Sequence, residues 1–206
     1  MKVIELFAGS RSIGKAAEAL GLEVWSTDIH QFGGIDCVAD ILTLTADDIP
    51  HEGENTIIWA SPPCTGFSVA AMGHHWNPDR TPKTDTAKLG IQLVEHTLEL
   101  ISRIRPAYWF IENPRGMLRK QAFMQDLPRH TVTYCQYGDE RMKPTDIWTN
   151  SQDWVPRPMC KNGAPCHVAA PRGSKTGTQG RKGNYERSMI PAELCEVVIR
   201  SCIDQP

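Results

Sequence analysis

The chain has 206 residues and carries 22 Lys and Arg against 24 Asp and Glu, so its formal net charge is −2. This length suits one domain, and the composition is that of a globular protein, because 40% of residues are hydrophobic and 22% are charged. No apolar run approaches the roughly 20 residues that cross a bilayer. The first residues lack the pattern of a secretion signal and the seven cysteines are an odd number, so we expect a cytoplasmic protein with free thiols.

Short apolar runs that end at glycine, proline or polar residues predict six strands. Two stretches of apolar residues at helical spacing, from Ile13 to Leu20 and from Val94 to Ile104, predict helices. Alternating strands and helices indicate an α/β fold, a mostly parallel sheet with helices on both faces. The predicted strands are Val3–Phe7, Leu22–Thr27, Thr56–Ala60, Ala107–Ile111, Thr131–Tyr137 and Asp146–Thr149.

Two stretches interrupt this alternation. Residues 65–88 form a long polar loop, and loops of that length are usually functional, so we expect a lid. Residues 157–187 carry seven Lys and Arg and a single acidic residue, a net charge of +6. Residues 1–156 carry a net charge of −6, so the small total hides a segregated charge. The basic segment is typical of a surface that binds phosphates.

Candidate cofactor-binding residues follow the first strands. The turn Phe7-Ala8-Gly9-Ser10 leads from a strand into a helix, where backbone approaches a cofactor. Asp28-Ile29 follows about 20 residues later, where a carboxylate binds ribose hydroxyls. Asp40-Ile41 would offer an acceptor and an apolar side chain to an adenine ring, although Asp40 fits a helix N-cap equally well. Together these residues indicate a cofactor that contains adenosine.

Candidate catalytic residues follow the later strands. Cys64 comes after two prolines, of which Pro62 is the first, and this rigid setting favours a nucleophile over a structural thiol. Glu112 ends an apolar strand, where a half-buried carboxyl group can serve as an acid or base. Arg141 and Lys143 lie in a turn that, on local grounds alone, is an ordinary charged hairpin.

Taken in order, these motifs resemble those of the DNA (cytosine-5)-methyltransferases. Phe7-Ala8-Gly9 resembles the cofactor motif of that family and Ser61-Pro62-Pro63-Cys64 its catalytic Pro-Cys motif. Glu112-Asn113-Pro114 resembles its Glu-Asn motif, and Ser188-Met189-Ile190-Pro191 resembles its last motif, which returns to the cofactor site. The resemblance covers nearly the whole chain.

The sequence departs from the family pattern in two motifs. Arg11 stands where the family usually has a second glycine, and Arg141, Lys143 and Thr145 replace its Gln-x-Arg-x-Arg. Only about residues 150–187 are left for target recognition. The chain therefore resembles the compact type often encoded by phages and prophages, which implies a short or loose sequence preference.

The resemblance implies a Rossmann-like, S-adenosylmethionine-dependent methyltransferase fold with a small irregular basic insertion. Residues 1–150 would form the catalytic and cofactor-binding core, 151–187 a short basic target-recognition segment, and 188–206 a helix returning to the core. Cys64 would attack a flipped-out cytosine that Glu112 holds, with Arg141 and Lys143 beside them. S-adenosyl-L-methionine would be bound by Phe7, Ala8, Gly9, Ser10, Asp28, Ile29, Asp40, Ile41, Pro62 and Ser188.

DNA is the partner that this resemblance implies. No obligate protein partner or membrane is indicated, and a companion restriction enzyme is neither implied nor excluded. Cytosine-5 methylation of RNA and a catalytically weak, DNA-binding relative of the methyltransferases stay open as alternatives. A methyltransferase acting on amino groups fits less well, because Cys64 stands where those enzymes have an aromatic residue after Pro-Pro.

Cys160, Cys166 and His167 lie together in the basic segment. Thiolates and imidazole suit zinc, which would order a segment too polar to form a core. The spacing differs from a pair of Cys-x-x-Cys knuckles, however, and a fourth ligand is not evident, Cys135 being one candidate. The sequence makes zinc possible without favouring it over ordinary free thiols.

Overall fold

The computed structural model describes residues 1–69, 72–169 and 183–204. A central sheet is surrounded by helices, as the sequence pattern predicts. The strands are β1 Lys2–Leu6, β2 Glu23–Asp28, β3 Cys37–Val38, β4 Thr56–Ala60, β5 Tyr108–Pro114, β6 Arg129–Thr133 and β7 Pro144–Thr149. The helices are α1 Ser12–Ala19, α2 Met72–His75, α3 Asp85–Ile104, α4 Ala122–Gln125, α5 Gly183–Ser188 and α6 Ala192–Ile203.

The seven strands form one sheet in the order β3-β2-β1-β4-β5-β7-β6. All neighbours pair in parallel except β7, which is antiparallel to both β5 and β6. The mostly parallel α/β class is thus confirmed. Because β1 lies between β2 and β4, the chain leaves β1 toward one side of the sheet and returns to the other. Ligands of open α/β sheets bind at such a switch point, outside the carboxyl ends of the strands.

The sheet is buried on both faces, so its central strands contain consecutive buried apolar residues rather than an alternation of apolar and polar ones. Val3 and Ile57 point to one face, where they join the core that includes α1 and α6. Ile4 and Ile58 point to the other face, where they pack with the buried side of α3. Residues 192–203 therefore return to the sheet as a helix that packs against the first helix.

Three predicted elements need correction. Residues 65–88 are not one continuous loop, because α2 and the start of α3 lie inside this stretch. The apolar pattern missed the first turns of α3, which begin at the N-cap Thr84, whose hydroxyl accepts a hydrogen bond from the Ala87 N–H. The strand predicted over Thr131–Tyr137 ends at Thr133, and the short strand β3 was not predicted at all.

Parts of two predictions lie outside the described residues. The lid stretch includes residues 70–71, and the basic segment includes 170–182, where four of its seven cations lie. The lid and the basic binding surface therefore remain predictions. Among the helices that the structure describes, none combines the length and apolar character needed to cross a membrane.

Candidate active site

Cys64 lies in a tight turn just beyond β4. The Cys64 carbonyl accepts hydrogen bonds from the N–H groups of Phe67 and Ser68, both at 3.0 Å. Before the prolines, Ser61 donates its N–H to the carbonyl of Leu6 in β1 at 3.2 Å. The backbone is thus fixed on both sides of a thiol whose side chain is exposed.

Glu112 lies near the end of β5, the neighbour of β4, with only 6% of its surface exposed. The hydroxyl of Tyr134 donates a hydrogen bond to Glu112 Oε1 at 2.9 Å. The ammonium group of Lys143 lies 3.8 Å from the same oxygen and 4.4 Å from the centre of the Tyr134 ring. One carboxylate oxygen is therefore held by a neutral donor and a cation.

One side-chain and one backbone hydrogen bond join the Cys64 turn to the end of β5 and the residues after it. Asn113 donates its amide to the carbonyl of Pro62 at 2.9 Å. The N–H of Met117 donates to the Phe67 carbonyl at 2.7 Å, next to an antiparallel bridge between Ser68 and Gly116. These contacts set the position of the thiol relative to Glu112.

The surroundings of Cys64 shift the pKa of its thiol in opposite directions. Desolvation by the surrounding protein raises the pKa of the thiol, although Cys64 as a whole residue is exposed. Lys143 lowers this pKa and Glu112 raises it, and Arg187 contributes a smaller lowering. The thiol, the carboxylate and the ammonium group therefore lie close enough to influence one another.

Arg141 lies nearby but is engaged elsewhere. Its guanidinium is buried and forms a two-pronged ion pair with Asp139, with Nε at 2.8 Å from Oδ1. The guanidinium carbon lies 5.9 Å from the centre of the Tyr134 ring. Arg141 thus contacts Asp139 and Tyr134, and the catalytic role expected for it stays a prediction.

The predicted cofactor turn between β1 and α1 has an unusual backbone. Phe7 and Gly9 both adopt positive φ angles, 56° and 49°. The Gly9 N–H donates to Asp28 Oδ2 and the His30 N–H donates to Asp28 Oδ1, each at 2.9 Å. The carboxylate thus joins the ends of β1 and β2. Beside it, the side chain of Ile29 is 60% exposed.

Ser188 closes on this turn from the C-terminal side. Its hydroxyl oxygen accepts a hydrogen bond from the Ser10 N–H at 3.1 Å. A Cβ placed on Gly9 would lie 2.7 Å from the same oxygen, so only glycine fits at this close approach. The segment before α6 therefore lies at the predicted cofactor site, 178 residues from Ser10 in sequence.

The other predicted cofactor residues are placed differently. The Asp40 carboxylate accepts a hydrogen bond from the Leu42 N–H at 3.1 Å, which is the N-cap that the local sequence also allowed. Ile41 packs into the core and is 5% exposed. Arg11 adopts a φ of +54°, so the turn keeps a left-handed shape without the family's second glycine. This conformation costs a non-glycine residue about 1–2 kcal/mol.

The model of the family "C-5 cytosine-specific DNA methylase" matches residues 1–127, which is more than half of the chain. The chain belongs to this family. The match includes the Cys64 turn and Glu112, so the resemblance identified from the motifs is confirmed at the level of the family.

A curated relative matches a larger share of this chain than the family model does. The probable DNA (cytosine-5)-methyltransferase of Frog virus 3 (isolate Goorha) is 29% identical over 220 residues, covering 96% of this chain and 99% of the viral protein. The similarity therefore reaches beyond the residues that the family model matches.

The fold of this chain is similar to that of a solved methyltransferase structure. The Entamoeba histolytica methyltransferase EhMeth aligns with a TM-score of 0.51 and 15% identity, covering 72% of this chain and 52% of its own. The S. pombe Dnmt2 methyltransferase aligns over 76% of this chain and 52% of its own, with a TM-score of 0.47 and 15% identity. The chain spans about half the length of the solved structures that it matches.

Sequence reasoning missed the residues that support the motifs. The sequence pattern places Tyr134 in a predicted strand. No local pattern indicates that its hydroxyl meets Glu112, 22 residues away. Asn113 belongs to the Glu-Asn motif, and its side-chain amide joins this motif to the Pro-Cys motif at Pro62. A buried tyrosine or asparagine needs a polar partner, but sequence does not reveal which partner it has.

The remaining candidates, Cys160, Cys166 and His167, do lie together, and Cys135 completes the group. This cluster lies beside the turn that follows β6, next to Tyr134 rather than at the Cys64 turn.

Proposed function

We propose that this methylase transfers a methyl group from S-adenosyl-L-methionine to carbon 5 of cytosine in DNA, through a covalent intermediate on Cys64. The observation that carries this proposal is the placement of an exposed thiol, a buried carboxylate and a lysine at neighbouring strand ends. A nucleophile beside an acid–base group at the carboxyl edge of a parallel sheet suits covalent catalysis.

The chemistry requires a thiolate because carbon 5 of cytosine is a weak nucleophile. Addition of the Cys64 sulfur to carbon 6 breaks the 5,6 double bond and makes carbon 5 electron-rich. Glu112 accepts a hydrogen bond from the exocyclic amine and donates a proton to ring nitrogen 3, which neutralises the developing charge. After methylation, carbon 5 loses its proton to a base, the carbon–sulfur bond breaks, and the double bond and the thiolate form again. Ring nitrogen 3 returns its proton to Glu112, which restores the acid for the next turnover.

Lys143 stabilises the nucleophile, and Tyr134 positions the carboxylate. The Lys143 ammonium stabilises the Cys64 thiolate, as its lowering of the thiol pKa indicates. The Tyr134 hydroxyl fixes one Glu112 oxygen, leaving the other free to face the base. A cytosine within a duplex cannot reach a thiol in this setting, so the base would leave the stack before it reacts.

The turn at Gly9 fits the proposed cofactor. Asp28 retains acceptor capacity for ribose hydroxyls after its two backbone hydrogen bonds, since each carboxylate oxygen has a second lone pair. Ile29 offers an exposed apolar side chain to an adenine ring. S-adenosyl-L-methionine, when bound there, supplies an electrophilic methyl group. Roles for Asp40, Ile41, Pro62 and Ser188 in binding it belong to the same proposal.

The experiment that tests this function traps the intermediate. The protein is incubated with S-adenosyl-L-methionine and DNA that contains 5-fluorocytosine, from which carbon 5 cannot lose a proton. We expect a covalent protein–DNA adduct on Cys64, found by denaturing electrophoresis and peptide mass spectrometry. The variant Cys64→Ser should lose the adduct and more than about a thousandfold of methyl transfer.

The matched control is Cys202→Ser, in α6, where the serine hydroxyl can keep the hydrogen bond that Cys202 donates to the Val198 carbonyl. This variant should form the adduct normally. An adduct that persists in Cys64→Ser would overturn the assignment of the nucleophile. RNA containing 5-fluorocytidine is run in parallel, and an adduct with RNA alone would overturn DNA as the substrate.

A further inference from the structure

Four side chains that the proposed reaction does not use meet beside the turn that follows β6. Cys135 comes from that turn, and Cys160, Cys166 and His167 come from the segment after β7. One ligand atom from each lies within 4.8 Å of all the others. All seven cysteines fall among the described residues, and each is a free thiol.

The separations match a tetrahedral metal site. Cys166 Sγ lies 3.5 Å from Cys160 Sγ and 3.7 Å from Cys135 Sγ, and His167 Nδ1 lies 3.3 Å and 3.6 Å from the sulfurs of Cys160 and Cys166. Zinc bonds of about 2.3 Å to sulfur and 2.0 Å to nitrogen place two tetrahedral thiolates about 3.8 Å apart, and a thiolate and an imidazole nitrogen about 3.5 Å apart. A disulfide would instead bring two sulfurs to about 2.05 Å.

The backbone brings these ligands together from both sides. A turn closed by a hydrogen bond from the Ala164 N–H to the Lys161 carbonyl at 3.1 Å returns the chain, so that Cys166 meets Cys160. The Cys160 N–H donates to Thr133 Oγ1 at 2.9 Å, which ties the segment to the end of β6. The amide of Gln136 lies 3.5 Å from Cys166 Sγ and donates to it, as outer residues often do to metal-bound thiolates.

The segment has little apolar material to hold it in place otherwise. Met159 and Val168 are 40% and 64% exposed, and residues 157–169 contain no residue of the buried core. A metal ion is the usual way for a polar segment of this kind to gain folding energy.

We propose that Cys135, Cys160, Cys166 and His167 bind one Zn²⁺ as a structural site. Three thiolates and one imidazole fill a tetrahedral shell and leave no open position, which distinguishes a structural site from a catalytic one. Cys135 directly follows Tyr134, whose hydroxyl holds Glu112. The ion would thus fix the wall of the active site and attach the segment after β7 to it.

The test measures metal rather than activity, so its result is independent of the proposed methyl transfer. The full chain is purified without chelators from cells grown with added zinc, and its metal content is measured by mass spectrometry. We expect about one zinc per chain. Cobalt exchanged into the protein should show the strong visible absorption of a tetrahedral ion together with thiolate-to-cobalt charge transfer.

Variants locate the site. Cys160→Ser and Cys166→Ser should lose most of the bound zinc, whereas Cys37→Ser, in β3 and outside the cluster, should keep it. A well-dispersed, metal-free wild-type chain that binds neither zinc nor cobalt would overturn the proposal. So would retention of zinc in both cluster variants, or a Cys160–Cys166 disulfide in protein purified with reductant present.

Discussion

Cys64 and the cluster around Cys160 place the same functional group in two different surroundings. Cys64 lies alone at the edge of the sheet, where the ends of β4 and β5 set its distance from Glu112. Three members of the cluster, Cys160, Cys166 and His167, lie in a stretch where the described residues form no strand or helix, and they meet Cys135 from the turn after β6. A single exposed thiol beside a cation suits a nucleophile, whereas converging thiols suit a metal.

The two regions also position their side chains in different ways. At the sheet edge, backbone hydrogen bonds between regular elements hold the reactive groups, so the arrangement does not require a bound ion. In the segment after β7, a few hydrogen bonds such as that from Cys160 to Thr133 bring the ligands close, and we propose that zinc completes the order. A substitution beside Cys64 or Glu112 should therefore leave the zinc content of the cluster unchanged.

The largest effect is expected from Glu112→Gln, which removes the charge but keeps the shape. The glutamine carbonyl can still accept the Tyr134 hydroxyl, but its amide cannot supply a proton to ring nitrogen 3. The rate of methyl transfer should fall about 10²- to 10⁴-fold, the usual contribution of general acid–base catalysis. Single-turnover kinetics on cytosine-containing DNA measures this loss.

Tyr134→Phe is the matched comparison for this prediction. It keeps the carboxylate and removes only one hydrogen bond to a charged group, a contribution of about 1.5–3 kcal/mol. Its rate should therefore fall less than that of Glu112→Gln. Zinc content should be unchanged in Glu112→Gln, and equal rate losses in the two variants would contradict the assigned role of the Glu112 carboxyl group.

A smaller effect is expected from Gly116→Ala, which pushes apart the two loops at the sheet edge. The new Cβ would lie 2.1 Å from the Phe67 carbonyl oxygen, so the Cys64 turn must shift. Thermal or urea unfolding should show a loss of about 1–3 kcal/mol, the usual cost of overpacking, and adduct formation should slow.

Gly73→Ala, in α2, is the control for this substitution, because its Cβ would meet nothing within 4 Å. The free energy of unfolding should stay the same or rise slightly, because alanine has a higher helix propensity than glycine. Zinc bound to the Cys160 cluster should be the same in both variants. An undisturbed Cys64 turn in Gly116→Ala would show that the two loops are not docked as described.

The sequence predicts the arrangement of residues at the carboxyl edge of the sheet better than their arrangement in the segment after β7. Cys64 and Glu112 stand at the ends of apolar strands, and in a parallel sheet such ends meet at one edge, so their proximity could be predicted. The start of α3 could not, because its first turns are polar and only the cap at Thr84 marks it. The pairing of Tyr134 with Glu112 and of Asn113 with Pro62 depends on side-chain packing between elements, which local patterns do not encode.

The sequence predicts the Cys/His cluster only in part. Cys160, Cys166 and His167 are close in sequence and could be grouped, but their spacing matches no standard zinc motif. The fourth member, Cys135, comes from a turn that the sequence pattern assigned to a strand. Only the three-dimensional meeting of the two segments shows that four ligand atoms converge.

The smallest expected effect concerns the pH at which Cys64 reacts. Burial raises the pKa of this thiol, Lys143 lowers it, and Glu112 raises it. Lys143→Met keeps an apolar stem near Tyr134 but removes the cation, so the thiolate loses stabilisation and the pKa should rise further. Glu112→Gln removes a negative charge, so the pKa should fall. The two variants are therefore expected to shift in opposite directions.

Alkylation of Cys64 by iodoacetamide measures these shifts, because only the thiolate reacts. The rate is followed against pH by mass spectrometry of the Cys64 peptide, with Cys37 in the same sample as an internal reference. The profile should move to higher pH in Lys143→Met and to lower pH in Glu112→Gln, while the Cys37 profile stays the same. Shifts in the same direction would mean that altered burial, rather than the charges of Lys143 and Glu112, sets the pKa of Cys64. That result would contradict the view that these two neighbours tune the thiol as a nucleophile.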